Sequence, residues 1–483
     1  MQLDAAFWTT WSVATGILNW GIIFGALIYI PFRRSPAAAQ AWMILFFFLP
    51  IAALLLYLAL GHAEHPRWRK DRLKRLPAVL SRALGDLTLE QRSGHEEALA
   101  PRYAMAARLV QRLGRQPCLP GNQIDLDADY NRVVDRIVAD IDDAKNHVHM
   151  LFYILMMDEA GDKVLAALER AARRGVTCRL LIDAVGSSTD RRRIARRLDG
   201  SGVALRVILP LRFWNRATRA DLRNHRKIVV VDGHVGWVGS QNMHRNEYEP
   251  NTFYREVMAR VVGPVVLEMQ AVFIGDWYLE TEEDIGSPDL MPVTDFADAE
   301  GGALAQLLPT GPDYPGAQVD TLFTDLIHNA RDRVVLATPY FIPNEPLLQA
   351  MRTAVAKGVT VSLFVTYTTN SVLIDHAQRS YYDDLLSAGV EVMLYRERFL
   401  HAKHLSIDED IAIIGSANMD RRSFELNSEV TLLIYDAEMV RRLRGIEQEY
   451  RASSERLDVE SWEKRGFATQ LGENIMRLIS PLM

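Results

Sequence analysis

Two histidines and two lysines recur in this chain at one spacing. From His225 the sequence reads H-R-K-I-V-V-V-D-G-H-V-G-W-V-G-S-Q-N, and from His401 it reads H-A-K-H-L-S-I-D-E-D-I-A-I-I-G-S-A-N. Both fit H-x-K-x4-D-x6-G-S-x-N without a gap. A charged lysine has no lone pair to give a metal, so H-x-K is a poor metal site. A phosphate suits the Lys point charge and the donors of Ser240, Asn242, Ser416 and Asn418. Residues i and i+2 of a strand share a face, so His225 points with Lys227 and His401 with Lys403. Histidine attacks phosphorus when neutral and gives up a proton when charged, and both states are reachable near neutral pH. Two histidines on opposite sides of one phosphate would divide these roles and form a phosphohistidine, splitting one displacement into two steps. The second acceptor then decides the reaction: water gives hydrolysis and an alcohol gives transfer. Asp232 and Asp408, at one offset in the two motifs, are read as fixing local geometry. Glu256 and Glu429 are read as orienting a histidine through its second nitrogen.

A site of two equal parts needs two equal scaffolds, and the chain supplies them. A-A-R-R-G-V-T-C-R-L-L-I-D at Ala171–Asp183 is echoed by A-V-A-K-G-V-T-V-S-L-F-V-T at Ala354–Thr366. Gly175 and Gly358 fit helix stops before a strand. Each half reads as a strand (Val148–Leu155; Val334–Thr338), an amphipathic helix (Lys163–Arg173; Pro346–Ala356) and a second strand (Thr177–Ile182; Thr360–Val365). A further helix leads to a third strand (Ala204–Leu209; Glu391–Tyr395). The motif itself reads as a hairpin, Lys227–Val231 with Val235–Val238 and His404–Ile407 with Ile411–Ile414. The expected class is α/β: two duplicated domains, each with a mixed sheet, packed face to face around one site.

Ahead of these halves lie two uncharged apolar stretches, Phe7–Ile30 and Ala37–Leu60. Each exceeds the roughly 20 residues that span a bilayer as a helix. Pro50 inside the second is read as a tolerated kink, and Pro31–Pro36 as the turn of a transmembrane hairpin. The segment before the first stretch carries Asp4 and no Lys or Arg, unlike a signal peptide. Arg67, Arg69, Lys70, Arg72, Lys74 and Arg75 follow the second and mark a cytoplasmic flank, with the hairpin turn outward. These charges could also hold the protein on anionic lipid. The expected divisions are 1–65 hairpin, 66–120 basic connector, 121–279 first domain, 280–303 linker and 304–483 second domain. Apolar residues at Phe467, Leu471, Ile475, Leu478, Ile479 and Leu482 share one helix face; docking on the core and lying on the membrane surface are its two readings.

A net charge of −6 argues against a dedicated nucleic-acid binder. Cys118 and Cys178 form neither a disulfide framework nor a metal pattern. Strand alternation should separate His401 from His404, which argues against a metal there. Arg212-Phe213-Trp214 offers a lining for lipid access or ordinary packing.

The paired motif resembles that of the phospholipase D superfamily, and the chain is most similar to its bacterial cardiolipin synthases. Further stretches carry the resemblance: Ile30–Trp42, R-N-H-R-K at Arg223–Lys227, T-P-Y-F-I-P at Thr338–Pro343, Arg379–Val390, and N-M-D-R-R-S-F-E-L-N-S-E at Asn418–Glu429. The resemblance implies phosphatidyl transfer between two phosphatidylglycerols, giving cardiolipin and glycerol, without metal or other cofactor, at the bacterial inner membrane with the catalytic domains facing the cytoplasm. It implies an active site of His225, Lys227, Asp232, His401, Lys403 and Asp408, with His225 as nucleophile and His401 as acid. Membrane phospholipids are the expected partners; no obligate protein partner and no oligomeric state can be read. The alternatives are a hydrolase releasing phosphatidic acid, a transferase using phosphatidylethanolamine, and an inactive membrane scaffold.

Overall fold

The structure is a computed structural model and describes residues 2–60, 67–84, 99–210, 221–287, 290, 302–314, 316 and 318–482. Arg212-Phe213-Trp214 and much of the 280–303 linker lie outside the described residues.

The repeat in the sequence is a repeat in the fold. Helix Glu159–Arg173 starts at Asp158, whose carboxylate accepts the Gly161 N–H, and buries Val164, Leu165 and Leu168. Its counterpart Glu345–Ala356 starts at Asn344, whose side chain accepts the Leu347 N–H, and buries Leu347, Leu348 and Met351. Both run out just before a left-handed glycine, Gly175 at φ 90° and Gly358 at φ 91°, a conformation that a Cβ would strain. The next strand follows directly in each half, Thr177–Asp183 and Thr360–Thr366.

The strands form one 15-stranded sheet. From its outer edge inward the first half runs Val203–Ile208, Thr177–Asp183, His147–Phe152, Lys227–Val231, Val235–Gly239, Met258–Val262 and Leu119–Asp127. The second half runs in the same sense through Glu391–Tyr395, Thr360–Thr366, Arg333–Ala337, His404–Ile407, Ile411–Gly415, Glu429–Tyr435 and Ala303–Thr310, with the short Ser454–Arg456 outside. The halves meet where Leu119–Asp127 pairs antiparallel with Ala303–Thr310. The halves thus join edge to edge as a continuous sheet, and they also pack face to face as expected: Val235–Gly239 lies against Glu429–Tyr435, and one core holds Val238, Ala259 and Val261 of the first half with Ala412, Ile414 and Leu432 of the second. The two joining strands were hidden in the sequence. Pro120 and Gly121 read as turn residues, and the pairing is indeed irregular between Leu119 and Asn122, as a bulge allows.

The N-terminal region departs further from expectation. A helix covers Gln2–Tyr29, but the second apolar stretch is two helices, Pro36–Phe48 and Pro50–Leu60. They pack against each other, with the Trp42 and Tyr57 ring centroids 5.0 Å apart. On one continuous helix these residues would be about 22 Å apart. The chain therefore folds back at Leu49, whose φ of −138° leaves the helix, and Pro50, which has no N–H to continue it. The expected single span over 37–60 is corrected to a folded-back helical pair. Among the described residues no helix is long and apolar enough to cross a membrane.

The basic connector docks on protein. Helix Arg67–Leu84 packs on helix Val265–Thr281. Arg69 is buried and bonded to Asp313 and Glu280, Arg72 pairs with Glu282 at 3.1 Å, and Arg82 pairs with Asp284 at 2.6 Å. Acidic residues at the start of the expected linker thus take up charges that the sequence offered to lipid. At the other end, helix Phe467–Ile479 buries only Glu473, which is paired with Arg465 at 2.5 Å, and leaves Phe467, Leu471, Ile475 and Leu478 exposed. Core docking of that apolar face is thereby excluded.

Candidate active site

The two motifs meet where the halves join, and each leans on the other half's backbone. The His225 N–H donates to Ser428 O and the Ser428 N–H to Arg223 O, at 2.8 Å each. In mirror fashion the His401 N–H donates to Arg255 O at 2.9 Å, and Phe399–Leu400 pairs with Tyr254–Arg255. Arg226, the middle residue of the first motif, is fully buried; it bonds Asp276 and donates to Glu429 O and Thr310 O, at 3.0 Å each. It clamps the second half's strand onto the first motif. Nothing in the spacing marked Arg226 for this role.

Each histidine is held by a carboxylate from the opposite half. Nδ1 of His225 lies 3.0 Å from both Ser416 O and Glu429 Oε2. A carbonyl oxygen can only accept, so Nδ1 carries the proton and Nε2 keeps its lone pair. Nδ1 of His401 lies 2.5 Å from Glu256 Oε1. The lysines sit behind, with Lys227 Nζ donating to His225 O and Lys403 Nζ to His401 O, at 2.5 Å each. Tyr153 packs edge-on against His225 at 4.9 Å and Tyr254 against His401 at 5.4 Å. Both histidines and both lysines are buried.

The two pairs differ in protonation. Burial pushes the Glu429 carboxyl up, but His225, Lys227 and Ser416 outweigh it and hold it below the ordinary range. Its oxygens take bonds from Ser416 Oγ at 2.5 Å, Ser423 Oγ at 2.9 Å and Asn427 Nδ2 at 3.3 Å. Glu256 has fewer supports: its Oε2 has no hydrogen-bond partner among the described residues. Burial raises it to about 8 despite the nearby Lys403. Burial also lowers His225, to about 4, and lowers His401 far below the ordinary value. The resting site therefore holds a neutral His225 beside an anionic Glu429, and a neutral His401 beside a protonated Glu256. Burial lowers Lys227 to about 7 and Lys403 to about 8 although the Glu429 carboxylate acts on both, and an arriving phosphate diester adds a second anion that favours their charged forms.

Asp232 and Asp408 are not at this site. Each lies beyond the far end of a motif strand, and Lys227 and Asp232 are about 16 Å apart at strand rise. Asp232 accepts the N–H groups of Lys145, Asn146 and His147 at 2.8 Å each, at a left-handed φ of 54°. Asp408 does the same for Arg331, Asp332 and Arg333 at φ 49°. They pin the turn before the neighbouring strand, which corrects their inclusion among the catalytic residues and agrees with the geometric role read from the motif. The serines are redirected too. Ser416 supports Glu429, and Ser240 exchanges hydrogen bonds with the Val257 backbone at 3.0 and 3.2 Å. Asn242 accepts the Ile154 N–H at 3.3 Å, and the Asn418 backbone N–H donates to Ser423 Oγ at 3.1 Å.

One further histidine went unnoticed in the sequence. His244 is buried in a nest of Tyr130, Tyr248 and Tyr254, close enough to Lys227 and His401 for their charges to be felt. Its counterpart in the second half is Asp420. His404 faces away from His401, against Tyr450 and Glu447. Among the described residues no group of His, Cys, Asp or Glu could hold a metal ion. A cavity of about 720 Å³ opens elsewhere, among Arg333, Ser362, Glu391, Glu447 and Arg451, away from the paired motif histidines.

Known proteins share these features. A family model described as "Cardiolipin synthase, PLD-like domain" matches residues 137–277 and 323–449, one copy in each half. The cardiolipin synthase of Geobacillus kaustophilus is 32% identical over 97% of this chain and 93% of its own length. Cardiolipin synthase A of Erwinia tasmaniensis is 31% identical over 97% and 99%. Among solved structures, phosphatidylserine synthase of Haemophilus influenzae superposes with a TM-score of 0.59 at 16% identity, over 78% of this chain and all of that one, which shows a common fold.

Proposed function

The chain belongs to the phospholipase D-like cardiolipin synthase family, and we propose that it moves a phosphatidyl group from one phosphatidylglycerol to another, releasing glycerol. The cross-half pairing of each histidine with a carboxylate at Nδ1, which leaves both Nε2 atoms for the substrate, carries the mechanism. His225 Nε2 attacks the phosphorus while Glu429 balances the charge that grows on the imidazole. The bond from phosphorus to the glycerol oxygen breaks. His401 Nε2–H protonates that oxygen, and the Glu256 proton passes to His401 Nδ1. Lys227 and Lys403 stabilise the non-bridging oxygens as their charge rises. A hydroxyl of the second phosphatidylglycerol then attacks the phosphohistidine and gives its proton back through His401, and the bond to His225 breaks. Atoms balance as two phosphatidylglycerols giving cardiolipin and glycerol.

The proposed working parts are 121–279 and 304–483, with 1–65 as a membrane anchor at the inner face of the bacterial cytoplasmic membrane. Exposed apolar side chains from Val13 to Leu58 support that location. Purified protein given phosphatidylglycerol should yield cardiolipin and free glycerol by lipid mass spectrometry. Phosphatidic acid as the dominant product would overturn transfer in favour of hydrolysis.

A further inference from the structure

The family resemblance and the two apolar stretches suggested a hairpin that crosses the bilayer twice, its turn on the side away from the catalytic halves. Three features of the structure disagree with that topology. The second stretch folds back on itself, Trp42 against Tyr57. Its two helices of 13 and 11 residues reach about 20 and 16 Å, well short of the roughly 30 Å hydrocarbon core. The turn before it is not remote from the catalytic halves, because helix Pro36–Phe48, which follows it, packs on helix Phe467–Ile479 of the second half. The C-terminal Ser480–Leu482 segment also packs on helix Pro36–Phe48.

We infer that this chain meets the bilayer from the catalytic side, with Pro36–Leu60 as a re-entrant pair and helix Phe467–Ile479 lying in the same leaflet. The exposed tip of the pair is Phe47, Phe48, Leu49 and Ile51. Few backbone donors are left open there: the Leu49 N–H bonds Leu45 O, the Ala53 N–H bonds Leu49 O, and Pro50 has none. That fits a segment entering hydrocarbon, where open donors are costly. The C-terminal helix turns its charge inward, Glu473 to Arg465, and its apolar stripe outward. Val372 and Leu373, on the helix packed beside it, are exposed as well. The stripe and the re-entrant tip occur on elements that touch, so one lipid surface can cover both.

The charges agree with this topology. Arg33 and Arg34, like the Arg67–Arg75 cluster, then lie on the catalytic side, as the positive-inside rule asks. The inference rests on the membrane location proposed above and not on the reaction.

The test is labelling of the full chain in spheroplasts with a membrane-impermeant maleimide. Cys118 and Cys178 are buried and should stay silent. Phe32→Cys, at a highly exposed position in the turn, should react only in inverted vesicles, as should Gln349→Cys at an exposed position in the second half. External labelling of Phe32→Cys would restore the two-span hairpin and overturn the re-entrant pair. A polarity-sensitive dye on Ile475→Cys should shift to the blue and be quenched by brominated phosphatidylglycerol. A shift that follows protein concentration instead of lipid would mean that a second copy covers the stripe. None of these readouts needs turnover, so loss of the transferase reading would leave them standing.

Discussion

Replacing Glu429 by Gln separates the two histidine–carboxylate pairs most cleanly. The substitution keeps the shape and removes the charge 3.0 Å from His225 Nδ1. At an effective dielectric of about 20, opposite unit charges at that distance attract by about 5 kcal/mol. Ser416 O still accepts from Nδ1, and Lys227 shares the same carboxylate, so about 3 kcal/mol should be lost from the first transition state. That is about a hundredfold in rate. The assay is single-turnover release of nitrophenolate from phosphatidyl-p-nitrophenol, a leaving group that needs no proton. Glu429→Gln should slow it about a hundredfold. Glu256→Gln should slow it by less than about tenfold, the scale of one hydrogen bond, yet should strongly impair release of glycerol, which needs the proton relayed through His401. A Glu256 variant crippled on the activated substrate, with Glu429→Gln nearly unaffected, would refute the assignment.

Three further outcomes follow from the same geometry. The kcat/KM for phosphatidylglycerol should fall as pH rises through about 8, because Glu256 is active when protonated and its raised value sets the upper limb; it should fall again in acid near 4, where His225 gains a proton. A flat profile up to pH 10 would contradict this. Asp232→Asn leaves the Lys145, Asn146 and His147 N–H groups without their charged acceptor; it should lower stability by about 3 kcal/mol in denaturant titration, while the folded fraction stays active. His225→Ala and His401→Ala should each abolish turnover at unchanged thermal stability, and strong inhibition of the parent by chelators would count against the metal-free chemistry.

Much of the catalytic scaffold was legible because strand alternation and helical spacing are local. The strands around Thr177, Thr360 and the two motifs begin and end within a residue or two of where β-branched runs and Gly175 or Gly358 placed them. Pairing across the halves was not legible. Glu256 follows the first motif but holds the second histidine, and Glu429 does the reverse, since the partner is set by how the two halves pack against each other. The aspartates kept their spacing yet sit a strand's length from the chemistry, because spacing reports register and not distance to a pocket. Pro50 was visible, but a kink and a reversal share that signature until Trp42 meets Tyr57. The apolar stripe of Phe467–Ile479 was visible too. Periodicity shows that a helix has two faces and is silent on which one meets protein, and here Glu473 does.

The central claim is that one histidine, His225, carries the phosphatidyl group between two lipids. Rapid acid-free quenching of the purified protein with phosphatidylglycerol, followed by peptide mass spectrometry, tests it directly. A phosphatidyl adduct on the peptide bearing His225, absent in His225→Ala and accumulating when acceptor lipid is withheld, is the predicted result. An adduct on His401, or full turnover with no adduct on either histidine, would contradict it.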